Sequence, residues 1–355
     1  EAGSCTFARV KFRVPEIASR HDFSNTIYID PSANANGDGS LDSPLNTLDI
    51  TFQSDTAYLI KAGTVWENRL SKVFANTYIG SYGEGNMPVL YKGLTIKGGS
   101  HDVTFDGIYV TKDGSSSYDK LLAFHSNTSN ITFAYSKILG RIGSFGYPFY
   151  VSKDHSENMV LYRSEIGNSR EDSLQVTLPG AMIVSNYIHN TAPCGDTIQM
   201  EWGGIDDLYI ANNYIDRSNS YGKFNLLLKG GDPPSKGIVV EYNTFARENT
   251  SGSGDNCSGG AAVQWFVRDE NLLSRNLFIM GTGASAIQSY PGYAYHDYPY
   301  GIRDNHFIGH AGLYNFDYML EPYLVFSTMA EYQTYLSENG LEAYGCTISP
   351  DTFWD

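Results

Sequence analysis

Lys229 closes the apolar run LLLK, precedes Gly230-Gly231, and has Glu201 at the same place one repeat earlier. An amine in that setting becomes a proton acceptor if partial burial or nearby cations lower its pKa; otherwise it remains a fixed cation. Either state suits the chemistry of an acidic sugar, whose carboxylate must be neutralised before its C5 proton can leave. The plainer reading is a surface pair with Glu201, which contributes little. Asp172 and Asp196, in EDSLQV and GDTIQM, occupy equivalent places two residues ahead of an apolar run. On adjacent repeats their carboxylates would stand about 5 Å apart, the separation of a retaining glycosidase pair. An Asp at that point also caps a turn. His125, at the end of LLAFH, is a further candidate for substrate contact. The sequence carries no zinc motif, phosphate-binding Gly loop or triad signature.

The elements that must position these groups repeat along the chain. Asn186, Asn213, Asn243, Asn276 and Asn305 each stand two residues before an Ile or Phe, at spacings of 27, 30, 33 and 29 residues. Ser136 and Ser164 take the same place upstream, and FDGI offers Asp106. A fixed polar residue recurring at this period predicts a right-handed parallel β-helix, with buried amides stacked from coil to coil and satisfying backbone groups at a tight turn.

Each coil reads as two apolar strands. The first runs LTIK, LAFH, FYVS, LQVT, IQME, LLLK, VQWF and IQSY. Alternation turns second and fourth residues outward. One outward column is then Thr95, Ala123, Tyr150, Gln175, Gln199, Leu227, Gln264 and Gln288; the other is Lys97, His125, Ser152, Thr177, Glu201, Lys229, Phe266 and Tyr290. With about 4.8 Å per coil, five coils span some 20–25 Å, room for several sugar rings. His125, Gln175, Gln199, Glu201, Gln264 and Tyr290 are the expected substrate contacts, although a stacked Gln ladder could equally serve the sheet. Loops between coils would build the groove. The fold expected is one all-β domain over 1–355. It comprises an N-terminal cap (1–25), about ten coils (26–316) and a C-terminal cap (317–355). Residues 6–14 alternate as a strand over the first coil's open end. A capping box at Thr328–Glu331, with a stop at Gly340, predicts a short helix over the last coil.

Composition narrows the partners. With 39 acidic against 24 basic residues, a net charge of −15 argues against nucleic acid, which needs a basic face. No apolar run approaches the roughly 18 residues of a membrane span. A start at Glu1 without Met suggests a mature secreted chain, expected to be monomeric. Four cysteines suit an oxidising compartment; Cys194 and Cys257 fall in long loops on the same side of nearby coils, leaving Cys5 to Cys346.

The opening YIDP…GDGS…SPLNTL with YLIKAGTVWEN resembles that of secreted β-helix polysaccharide-active proteins. The later coils resemble the pectate-lyase-like superfamily over nearly the whole chain, with the β-helical alginate lyases of polysaccharide lyase families 6 and 31 nearest. That resemblance implies β-elimination on a uronic-acid polysaccharide, alginate first. A family-6 pattern puts the base on Lys229 with Arg268 as its cationic partner. Its carboxylate-rich calcium cluster is not intact here, since Glu201 is the one acid in the column, so no cofactor is expected to be required and Ca2+ is only a possibility. A family-31 pattern asks for a Tyr–Lys pair, for which Tyr187 and His189 in SNYIHN stand outward, with Lys223 as the alternative cation.

Overall fold

The computed structural model of the chain describes residues 13–112, 120–140, 147–151, 156–169, 171–191, 195–200, 205–217, 223–228, 235–247, 261–265, 271–281, 285–289, 302–309, 312–316, 324–326 and 334. The four cysteines, residues 6–12, and the segment expected to form a C-terminal helix (Thr334 apart) lie outside these residues.

The repeat folds as three stacked sheets of parallel strands, consistent with a right-handed β-helix. Sheet A holds eleven strands from Asn25–Ile29 to Ile302–Arg303, and sheet B ten from Val65–Trp66 to His306–Gly309. Sheet C runs from Leu70–Lys72 to Gly312–Phe316, where Leu324–Phe326 adds the one antiparallel strand among the described residues. Each coil therefore has three strands, not two. The strand read as LYIANNYI breaks at its centre, Tyr209–Ala211 belonging to sheet A and Tyr214–Asp216 to sheet B.

From Tyr135 onward the break has one cause. The residue before the ladder position takes a left-handed conformation: Tyr135, Arg163, Ser185, Asn212, Tyr242, Arg275 and Asp304 all have φ between 47° and 60°. That conformation is costly for L-residues, and the buried ladder behind it supplies the compensation. Oδ1 of Asn213 accepts from the Asn186 N–H at 2.8 Å, while its Nδ2 donates to the Ile183 carbonyl at 2.8 Å and to Asn243 Oδ1 at 2.8 Å. Asn243, Asn276 and Asn305 repeat the pattern. Ser164 and Ser136 continue it with hydroxyls, ending where the Ile108 N–H donates to Ser136 Oγ at 3.2 Å. The register pairs Asp106 with Ala134, so Ile108 occupies the rung that Asp106 was expected to fill. Asp106 instead accepts the Tyr78 hydroxyl at 2.6 Å.

A second ladder, not anticipated, lies where sheet C turns into sheet A. There Ser100, Ser156, Ser235 and Asn271 accept backbone N–H groups from neighbouring coils. Between the ladders the bore is apolar. Phe52, Phe74, Phe105 and Phe133 stack along the early coils, with Phe245 on Phe278 further on. Arg13–Ser19 form no strand over the open end. This segment lies along the outer face of sheet A instead: the Arg13 N–H donates to the Tyr209 hydroxyl at 2.9 Å, and Ile17 packs beside Tyr162, Met182 and Tyr209.

Candidate functional site

On sheet B, Ile138, Ile166, Ile188 and Ile215 point into the bore and are fully buried. Alternation then turns their neighbours outward. The register sets Lys137, Glu165, Tyr187 and Tyr214 in one column, with Gly167 beside His189 in the next. Tyr187 and His189 thus share a face, and their rings stack with centroids 4.1 Å apart at 14°. The Tyr214 ring continues the stack at 5.6 Å and 19°. Tyr187 and Tyr214 are 39% and 42% exposed, whereas His189 is only 7% exposed.

The imidazole is held from beneath. Its Nε2 faces Glu165 Oε1 at 3.1 Å, and Glu165 Oε2 accepts from Lys137 Nζ at 2.7 Å. Gly167 makes this approach possible, since a Cβ there would lie 2.4 Å from the His189 carbonyl oxygen and 3.3 Å from its ring. Partial burial pushes the Glu165 carboxyl up, but Lys137 and His189 together hold it below the usual carboxylate range. Burial also pushes the Tyr187 phenol up, reinforced by the negative charge of Asp216, which accepts its hydroxyl. Tyr187 therefore stays protonated at neutral pH, its hydroxyl donating to Asp216 while its ring is partly exposed. His189 is too enclosed to meet a sugar; in this geometry it orients Tyr187.

Sheet C carries the strip expected to line a groove, and its register matches the reading along the whole column from Thr95 to Gln288. Its exposure does not. Thr95, Ala123, Gln199, Leu227 and Gln264 point outward yet are buried, so the column is covered there, while Tyr150 is half-buried. Gln175 is half-buried. Among the fourth-position residues, Lys97 and His125 are exposed and Thr177 is buried. Ser152, Glu201, Lys229, Phe266 and Tyr290, together with Arg268, lie outside the described residues. The strand Leu226–Leu228 that leads to Lys229 is in sheet C, whereas Tyr187 opens a strand of sheet B.

The Asp172/Asp196 pair lies at the corner from sheet B into sheet C, and it is buried, Asp172 5% and Asp196 0% exposed. Asp172 Oδ1 accepts the Asp196 N–H at 2.8 Å, and Asp196 Oδ1 accepts the Phe224 N–H at 2.9 Å. These carboxylates cap turns between coils, so the retaining-pair expectation fails: no sugar reaches a carboxylate sealed in this way. Arg217 and Arg247, which sequence reading missed, sit behind them. Arg217 donates to the Gly195 and Phe224 carbonyls, and Arg247 to those of Lys223 and Ala261. Burial lowers Arg217 to about 10, with the two aspartates opposing the fall, and Arg247 to about 9, with Arg217 adding to it. Both stay cationic at neutral pH. Asp172 is pushed up to about 7 by burial and by Asp196; exposed Lys223 pulls weakly the other way. Ser169, Ser173, Thr191 and Thr197 extend the polar core as a chain of hydroxyls.

Among the described residues, no three His, Cys, Asp or Glu side chains group to hold a metal ion, and no helix is long and apolar enough to cross a membrane. No family model matches the chain, and no curated relative does. Among solved structures it is similar to the pectate lyase Pel9A, at 13% identity and TM-score 0.48, over 94% of this chain and 80% of that one. It is similar also to a GH136 lacto-N-biosidase from Eubacterium ramulus, at 12% identity and TM-score 0.47, covering 82% of this chain and spanning 65% of that enzyme's length. A third is PfbA, a surface adhesin of Streptococcus pneumoniae, at 10% identity and TM-score 0.39, over 77% of this chain and 92% of the adhesin. At such identities the likeness is one of fold alone.

Proposed function

We propose that the protein is a secreted lyase that cleaves a uronic-acid polysaccharide by β-elimination, with alginate the first substrate to test. The observation that carries this reading is the Tyr187 site. An exposed phenol, kept protonated by burial and Asp216 and stacked on His189, can give its proton to the leaving oxygen once that oxygen replaces Asp216 as its acceptor. Tyr214 extends an aromatic surface on which a sugar ring can lie. In the elimination a base takes the C5 proton, its electron pair forms the C4=C5 double bond, and the C4–O bond breaks as Tyr187 protonates the oxygen. Lys229 as base with Arg268 as carboxylate partner is the competing assignment, and both lie outside the described residues. No metal is required in either version.

Elimination is read from the ultraviolet absorbance of the unsaturated uronide, across a panel of alginate, pectate and glucuronan. Tyr187→Phe should lower kcat by about 10²-fold or more, the range for a lost acid–base group, with folding stability unchanged. A Lys229→Ala enzyme that dies while Tyr187→Phe stays active would move the chemistry to Lys229. New reducing ends without that absorbance would replace elimination by hydrolysis. The exposed Tyr187–Tyr214 stack also favours a second reading, a glycan-binding β-helix without catalysis, for which neither signal would appear.

A further inference from the structure

Lys120 opens the strand Lys120–Phe124 of sheet C. Its ammonium lies over the ring of Tyr150, 3.0 Å from the centroid, across one coil. Lys61, Lys72 and Lys137 each meet a carboxylate at 2.6–2.7 Å. Lys120 meets none among the described residues, although the chain carries 39 acids. Partial burial lowers its pKa. A partly desolvated cation on a π-face can still take an anionic partner, because the ring offers a quadrupole and not a full counter-charge.

The surroundings are built to hold it. Arg69 donates to the Lys120 carbonyl at 3.0 Å and to Thr95 Oγ1 at 2.8 Å, fixing the strand start. Tyr150 is paired in register with Gln175, whose enclosed Oε1 has no hydrogen-bond partner among the described residues. Exposed His125 follows the same strand at its far end.

We propose that Lys120 and Tyr150 form a subsite on sheet C for one carboxylate-bearing sugar, the ammonium pairing with the carboxylate and the tyrosine edge with the ring. The choice of uronide probes rests on the function proposed above, but binding here requires no cleavage. The test titrates the intact protein with alginate, galacturonate and glucuronate tetrasaccharides and with their carboxyl-reduced forms. Binding is followed by intrinsic fluorescence, with the unsaturated-uronide absorbance read in the same samples. Lys120→Met should weaken binding of at least one carboxylated probe by about tenfold or more, the scale of a lost charge-assisted contact. It should leave the reduced form's affinity unchanged, and Lys120→Arg should retain most of the carboxylate preference. Tyr150→Leu, which keeps the charge, should weaken carboxylated and reduced forms alike. The subsite is overturned if Lys120→Met binds every probe like the parent, or if the parent does not prefer carboxylated over reduced probes. Carboxylate-selective binding lost in Lys120→Met with no absorbance change would keep the subsite while removing the lyase.

Discussion

The outer face of sheet B and the corner leading into sheet C are built from the same kinds of group. Outside, Glu165 lies between Lys137 and His189, with side chains 28%, 44% and 8% exposed. Inside, Asp172 and Asp196 lie near Arg217 and Arg247, all but closed to water. Outside, solvent screens the charges, and an ion pair contributes little beyond orientation. Inside, the charges have become connectors, each tied to the backbone of the next coil. Charge that water can reach is available to a ligand, and charge sealed from it holds the fold. That is why Asp172 and Asp196, attractive as a catalytic pair in the sequence, hold turns together in the fold.

Removing one member of the sealed set should have the largest effect. Arg217→Met leaves two buried aspartates short of a partner, a loss of about 3–5 kcal/mol for a broken buried pair, measured by urea denaturation. A loss under about 1 kcal/mol would mean that the corner is not held by charge. Next comes the pH dependence of Asp172. Its carboxyl sits near 7 in the fold against 3.8 for an ordinary aspartate, so the folded state binds the extra proton between those values. Its contribution is complete below 3.8 and is lost as pH rises through 7, where the buried group must ionise. Asp172→Asn keeps the acceptor for the Asp196 N–H and should flatten that decline. A mutant curve parallel to the parent's across the window would reject the assignment. The smallest effect belongs outside: Lys137→Met should cost about 0–1 kcal/mol, yet it frees Glu165 and loosens the support of His189. A change in activity larger than the change in stability is the expected signature, and equal changes would make Lys137 purely structural.

Much of this was legible in the sequence because a coil repeats its own register. The Asn ladder and the sheet C column follow from a polar residue at fixed distance from an apolar pair, and both stand in the structure. What alternation hid was backbone conformation. Tyr135, Arg163 and Tyr242 give no sign of a left-handed turn, so two strands were read as one. Asp106 was misplaced because its FDGI imitates the ladder, while the left-handed turn falls at Gly107, φ 67°, and puts Ile108 on the rung. Arg217 and Arg247 were passed over because arginine is seldom buried whole. Gln199 and Gln264 were expected at an open groove because alternation fixes direction but not cover. Lys120 escaped notice because it precedes its apolar run and its aromatic partner arrives a coil later.

The Asn ladder also bears on how such a chain changes length. Every rung accepts the same N–H and offers the same Oδ1, so a rung does not distinguish its neighbours. Deleting residues 213–242 would bring Asn243 to follow Asn212, and the Asn186 N–H would meet the Oδ1 of Asn243 in place of Asn213. Duplicating the same span would insert one rung into an unbroken stack. Lineages can therefore lengthen or shorten the cylinder by whole turns without inventing a new junction, while its outer faces are edited coil by coil.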